Sequence, residues 1–139
     1  SDIETLKPHA DIDSEKCLDF LLSIWPNPTS VIIKLNEKYQ ELLQSETGAF
    51  RIPNHRFCKQ LIDELKMPLV STSVNRTGSE PLNDPSQIIQ EFSNEVDTIF
   101  YSDKKSFFAA STLIDLNKSE PVLVREGKIK FVELMKKLN

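Results

Sequence analysis

Three glycines, two cysteines and two histidines among 139 residues leave little room for several common chemistries. The chain has neither a phosphate-cradling P-loop nor a G-x-G-x-x-G turn. His9 and His55 lie far apart and show no metal-ligand spacing, and neither H-E-x-x-H nor a Ser-His-Asp order occurs. Cys17 and Cys58 form no C-x-x-C pair. Each falls in a helical pattern and reads as a small buried apolar group, not as half of a disulfide. No stretch approaches the ~18 apolar residues of a membrane span. The acidic start Ser1-Asp2-Ile3-Glu4 is unlike a signal peptide. The expectation is a soluble, cytoplasmic domain with no membrane partner.

An excess of positive charge is also lacking. Seventeen basic and 21 acidic residues give a formal charge of −4, which argues against a protein whose main task is gripping nucleic acid by its phosphates. The apolar fraction of 39% is modest, so a large dry core is not assured. The length fits one domain, 1–139.

What is present is an alternation of helical and strand periodicity. Leu18, Leu21, Leu22 and Trp25 recur at helical spacing after the N-cap pair Asp13-Ser14, and Pro26 and Pro28 stop that helix. Trp25-Pro26-Asn27-Pro28 reads as a rigid turn with an aromatic plug. Strands are expected at Ser30 to Leu35, Gly48 to Ile52, Pro68 to Thr72, Val96 to Tyr101, Ser111 to Leu116 and Pro121 to Val124. Helices are expected over Glu37 to Leu43, after Asn54 with Phe57, Leu61 and Leu65 on one face, after Asp84-Pro85, and at the end with Phe131, Leu134, Met135 and Leu138 inward. Elements interleaved in this way imply an α/β (α+β) fold, a twisted mixed sheet with helices packed on it.

Four short segments carry polar groups at expected strand ends. Arg51 shares strand parity with Ala49, opposite to Phe50 and Ile52. From a small-residue face an Arg can grip a carboxylate with two hydrogen bonds; an exposed strand Arg or a structural ion pair is the plainer reading. Ser71, Ser73 and Asn75 would share one face if their strand runs on, offering hydroxyls and an amide to a phosphate or an amino-acid head group. A turn before the Asp84 helix accounts for them equally well. Arg125 precedes Glu126-Gly127, where a glycine at positive φ would let the strand turn sharply and leave Arg125 at its mouth; the plainer reading is a salt bridge to Glu126 or Glu120. Ser111-Thr112 is a weaker signal, since threonine is ordinary strand material.

Together these segments resemble the YrdC-type threonylcarbamoyl-AMP synthase family (YrdC/YciO-like domain). Its members show W-P-G-P-L-T, V-R-x-P-x-H, S-A-N-x-S-G, S-T-V-[IV]-D and L-R-x-G. This chain has Trp25-Pro26-Asn27-Pro28-Thr29, Phe50-Arg51-Ile52-Pro53-Asn54-His55, Ser73-Val74-Asn75-Arg76-Thr77-Gly78, Ser111-Thr112-Leu113-Ile114-Asp115 and Val124-Arg125-Glu126-Gly127, in the same order and spacing. The resemblance implies an enzyme that joins L-threonine, bicarbonate and ATP, the last with Mg²⁺, into threonylcarbamoyl-AMP and pyrophosphate for a tRNA modification. tRNA and tRNA-modification proteins are the macromolecular partners it implies. Carried over by position, Arg51 would pair with the threonine carboxylate, and Ser71 and Ser111 would line the threonine pocket. Thr47, Ser73, Pro81 and Arg125 would contact the nucleotide, with Asn75 beside Ser73 at the reacting phosphate.

The chain departs from the family pattern at three places. Asn27 replaces the turn glycine, and Tyr101-Ser102-Asp103 stands where D-G-G is usual. T-D-T-x-Y-G and the basic K-x-R-P segment, which open the family's domain, do not occur. The expectation is therefore the C-terminal two-thirds of such a domain, either a fragment or a shortened relative. A non-catalytic nucleotide- or RNA-binding relative is the alternative. A carbamoyl-transfer domain of the hydrogenase-maturation type shares the fold, but its usual zinc-finger spacing is not seen.

Overall fold

The computed structural model describes residues 1–12, 14–102 and 109–138. The chain forms two compact units, Ser1–Leu69 with Ala109–Asn139, and Val70–Phe108.

The first unit is built on a four-stranded sheet. Its strands are β1 (Thr29–Lys34), β2 (Thr47–Phe50), β3 (Thr112–Asp115) and β4 (Val122–Arg125), in the order β2-β1-β3-β4. β1 pairs antiparallel with β2 and parallel with β3, and β3 pairs antiparallel with β4. The sheet is mixed, and helices pack on it, as the periodicity implies. Its helices are α1 (Ile3–Leu6), α2 (Glu15–Ile24), α3 (Glu37–Leu43), α4 (Arg56–Leu65) and α6 (Phe131–Met135).

Alternation along the strands divides the sheet into a covered and an open face. Val31 and Ile33 of β1 and Ile114 of β3 are buried, and they cluster with Leu6, Phe20, Leu21, Ile24 and Leu134 from α1, α2 and α6. Fully burying each such side chain contributes about 1.5–3 kcal/mol. The residues between them, Ser30, Ile32, Leu113 and Asp115, are only half-buried. Trp25 is buried and donates its indole N–H to the Thr29 carbonyl at 2.8 Å, which locks the turn into β1. The residues of this turn need no positive φ, so Asn27 sits there without backbone strain.

Caps explain where several helices begin. Ser14 accepts from the Cys17 amide at 3.1 Å and starts α2; its expected companion Asp13 lies outside the described residues. The cap of α4 is His55, without a side-chain cap bond, and not Asn54 as the sequence suggested. Helical dihedrals begin one residue later than the Asn54 reading requires. Neither cysteine is in a disulfide, and both are half-buried, not fully buried.

The second unit holds helix α5 (Pro85–Phe92). Asp84 caps it, accepting from the Ser86 amide at 2.8 Å. The loop before it is fixed by Arg76, whose guanidinium meets Glu91 at 3.1 Å, pairs with Glu95 and lies 4.6 Å from the centre of the Phe92 ring.

Two expected strands do not form ladders. Pro68 to Thr72 and Val96 to Tyr101 are irregular, with no strand partner among the described residues. Their residue types suit a strand, but a strand exists only through its ladder, and Pro68 lacks an N–H to contribute. Val70 is 97% exposed, so burial does not hold the first of them in place either.

His9 gives the first unit a pH dependence. Its ring meets Tyr39 edge-on at 4.5 Å, and its buried Nδ1 has no hydrogen-bond partner among the described residues. Burial, with the nearby Lys38 charge, holds its pKa below the ordinary 6.5. The unfolded chain therefore takes up the proton first as the pH falls. The contribution of neutral His9 is complete above pH 6.5 and declines as the pH drops toward the lower folded value. Melting at pH 7.5 and at pH 5 should show a larger loss for the wild type than for His9→Gln. Equal losses would separate His9 from the acid sensitivity.

Candidate functional site

The open face of the first unit's sheet carries a row that begins and ends in an arginine. β1 and β2 pair Val31 with Phe50, where β2 ends; Arg51 follows Phe50 directly and Ser30 precedes Val31 directly, so the two lie at the same end of this strand pair. On its other side Ser30 is in register with Leu113, and Leu113 with Arg125. The row is therefore Arg51, Ser30, Leu113, Arg125. Three strand spacings separate its ends, about 14 Å between Cα positions. Thr47 shares the parity of Ala49 and Arg51 and borders the same face.

Arg51 is exposed, as is Ala49, whereas Phe50 is half-buried and Ile52 is buried. Its guanidinium makes no hydrogen bond or ion pair among the described residues. The structural ion pair is thus not found among the described residues. Among the described residues, none of its five donors is engaged.

Arg125 is held in place. Nε and Nη2 donate to the Ser111 carbonyl at 3.3 and 3.0 Å, and Nη2 also reaches Ser111 Oγ at 3.3 Å. Neither Glu126 nor Glu120 pairs with it, contrary to the plainer sequence reading; Glu126 is engaged by Lys130 at 3.0 Å. That contact, together with the Phe131 amide, holds the Glu126 carboxyl below its ordinary pKa. The two Nη1 hydrogens of Arg125 remain without a partner among the described residues. A guanidinium braced on one side and open on the other is pre-oriented for an incoming anion.

Ser111 joins the row. It is 8% exposed, and its Oγ lies 2.9 Å from Ser30 Oγ as well as within reach of Arg125. Adjacent Thr112 points to the other face, where its hydroxyl accepts from the amides of Gly127 and Ile129 at 3.1 and 3.2 Å and bonds to the Ile129 carbonyl. The Ser111-Thr112 pair, a weak signal in the sequence, thus organises both sides of the sheet. Gly127 is not at positive φ. It serves instead as a point of close approach: a Cβ there would lie 2.2 Å from the Ala110 carbonyl oxygen.

The second unit places Ser71, Ser73, Asn75 and Pro81 on an exposed loop, with Asn75 half-buried. Ser73 donates to the Asn75 side-chain oxygen, and the Asn75 amide donates to the Arg76 and Ser79 carbonyls, each at 3.0 Å. The turn reading of this segment is the one realised, with Gly78 at φ +83° closing it. Shared strand parity is not realised, because the strand is absent. Ser71 makes no side-chain hydrogen bond among the described residues.

Sequence reasoning missed Ser30. Its signals are alternation with Val31, which puts it on the half-buried face, and its place five residues after Trp25, where the W-P-G-P-L-T pattern ends in a hydroxyl residue. Its place between Arg51 and Ser111 depends on pairings across three strands. The described residues hold no cluster of three or more His, Cys, Asp or Glu side chains able to take a metal. No described helix is long and apolar enough to cross a membrane.

Comparison with known proteins gives this sheet its context. A threonylcarbamoyl-AMP synthase from Pyrococcus abyssi is 25% identical over 114 residues, covering 81% of this chain and 34% of that protein. One from Idiomarina loihiensis is 37% identical over 81 residues, 57% of this chain and 44% of that protein. The chain thus spans less than half the length of these two curated relatives. Among solved structures, P. abyssi Sua5 complexed with L-threonine superposes with a TM-score of 0.87 at 24% identity, over 99% of this chain and 41% of that one. E. coli YciO superposes at 0.81 with 26% identity, over 93% and 64%. The model of the Sua5/YciO/YrdC family, described as telomere recombination, matches residues 1–127. Over most of its length, then, this chain belongs to the Sua5/YciO/YrdC family.

Proposed function

We propose that this chain supplies the substrate-binding sheet of a threonylcarbamoyl-AMP synthase, which converts L-threonine, bicarbonate and ATP into threonylcarbamoyl-AMP and pyrophosphate for tRNA modification in the cytoplasm. The observation that carries the reading is the open-face row, with one uncommitted Arg, one braced Arg and two linked serine hydroxyls between them. Arg51 takes the threonine carboxylate, Ser111 borders the amino acid, and Arg125 and Thr47 face the nucleotide. Mg²⁺ travels with the triphosphate as part of the substrate. The chemistry requires two anionic reactants side by side, and guanidinium groups carried on one sheet face offset their repulsion. The two relatives named as threonylcarbamoyl-AMP synthases and the likeness to Sua5 bound to L-threonine support the same choice.

Calorimetric titration of this chain with L-threonine, and separately with ATP and Mg²⁺, tests the proposal. Both should bind. Absence of threonine binding up to about 1 mM, the upper end of ordinary KM values, would overturn the reading.

A further inference from the structure

The contact between Ser30 and Ser111 has a direction that Arg125 decides. A guanidinium only donates, so Ser111 Oγ accepts from Arg125 Nη2 at 3.3 Å. This leaves Ser111 one lone pair and one proton. Two arrangements then satisfy the 2.9 Å contact with Ser30. If Ser111 donates to Ser30, it has no proton left for a ligand. If Ser30 donates to Ser111, the Ser111 oxygen accepts from both neighbours and its own proton is free. The Ser111 side chain belongs to a row that ends in two guanidinium groups, so the ligand this face suits is an anion, an acceptor only. An anion stabilises the second arrangement, because only that one offers it a proton.

We infer that Ser30 is a positioning residue: it donates to Ser111 and thereby turns the Ser111 hydroxyl proton toward the bound amino acid. Its place supports this role. Ser30 lies in β1 immediately before the residues paired with β2, and it is held in register with Leu113 of β3. The buried turn at Trp25, with its bond to the Thr29 carbonyl, holds the residue immediately before it. Thr112 and Gly127 hold the segment that carries Ser111. The two hydroxyls therefore meet where Ser30 of β1 faces the residue that immediately precedes β3.

The inference rests on the threonine reading of this face, and a double-mutant cycle separates the two. Wild type, Ser30→Ala, Ser111→Ala and the double variant are titrated with L-threonine and with ATP and Mg²⁺, alongside thermal melting. Ser30→Ala should weaken threonine binding about tenfold, the scale of one hydrogen bond to a charged group. Its melting temperature and ATP affinity should stay near wild type. In the Ser111→Ala background, Ser30→Ala should add little, because its partner is already gone. Ser30→Thr retains the hydroxyl and should restore binding, which also guards against a folding artefact of the alanine. Unchanged threonine affinity in Ser30→Ala, or losses that simply add in the double variant, would overturn the positioning role while leaving the threonine site standing. No threonine binding by the wild type would overturn the function itself, and this inference with it.

Discussion

Gly127→Ala should be among the most destabilising single-methyl changes in the first unit, costing about 3 kcal/mol or more. A Cβ at Gly127 would sit 2.2 Å from the Ala110 oxygen, 2.4 Å from the Ser111 carbonyl carbon and 2.5 Å from the Thr112 nitrogen. All three are backbone atoms, so no side chain can swing aside. Relief requires moving the end of β4 away from the start of β3. That movement breaks the Gly127 amide bond to Thr112 and the Lys128 amide bond to the Ala110 carbonyl, now 3.1 and 2.9 Å. It also carries Arg125 away from the Ser111 carbonyl, so anion binding should fall together with stability. The other two glycines serve as internal controls. At Gly48 a Cβ meets Leu35 Cδ2 at 2.9 Å and Phe50 Cε2 at 3.0 Å, atoms of side chains that can give way. At Gly78 nothing lies within 4 Å, and only the positive φ opposes alanine, a cost of about 1 kcal/mol. Melting curves for the three alanine variants should rank Gly127 well below the others. Gly127→Ala melting with the wild type would show that the β3–β4 contact yields freely and does not brace Arg125.

This ranking was not legible in the sequence, which offered Gly127 as a flexible turn. Conformational freedom and close approach both call for glycine, and only the neighbouring backbone distinguishes them. The paired strands were easier to read. Val31-Ile32-Ile33 and the segment from Thr112 to Asp115 carry apolar side chains that burial demands, and Ser14 and Asp84 mark helix starts through side-chain chemistry that acts within three residues. What periodicity reports is which face a residue occupies, never which strand lies beside it. Val96 to Tyr101 therefore looked like a strand without being paired as one among the described residues.

The same limit shaped the reading of the site. Arg51 and Arg125 were visible as cations at strand ends, and the five motifs in register pointed to the family. That Ser30 meets Ser111, which in turn holds Arg125, was not visible, because that contact joins residues 81 apart in the chain. For Ser73 and Asn75 the sequence leaves a ligand-facing strand and a turn before the Asp84 helix equally open. In the structure they bond to each other and to their own turn, as asparagine and serine do wherever a local carbonyl or amide competes.

Arg51→Ala should raise the threonine concentration needed for half-saturation by about 10- to 100-fold, since hydrogen bonds to a charged group contribute about 1.5–3 kcal/mol. Folding should change by less than about 0.5 kcal/mol, because the exposed guanidinium has no partner among the described residues to lose. ATP affinity should move far less than threonine affinity, as Arg125 and not Arg51 faces the nucleotide in the proposed arrangement. Arg51→Lys separates charge from shape. A lysine keeps the positive charge but cannot present two parallel N–H groups to one carboxylate, so it should recover only part of the loss. Threonine titration and thermal melting on the same three proteins make the test. A large drop in melting temperature with ordinary threonine binding would mean that Arg51 holds the sheet together through contacts beyond the described residues. Full recovery by lysine would mean that the pocket reads charge alone, and that the carboxylate is not gripped at two points.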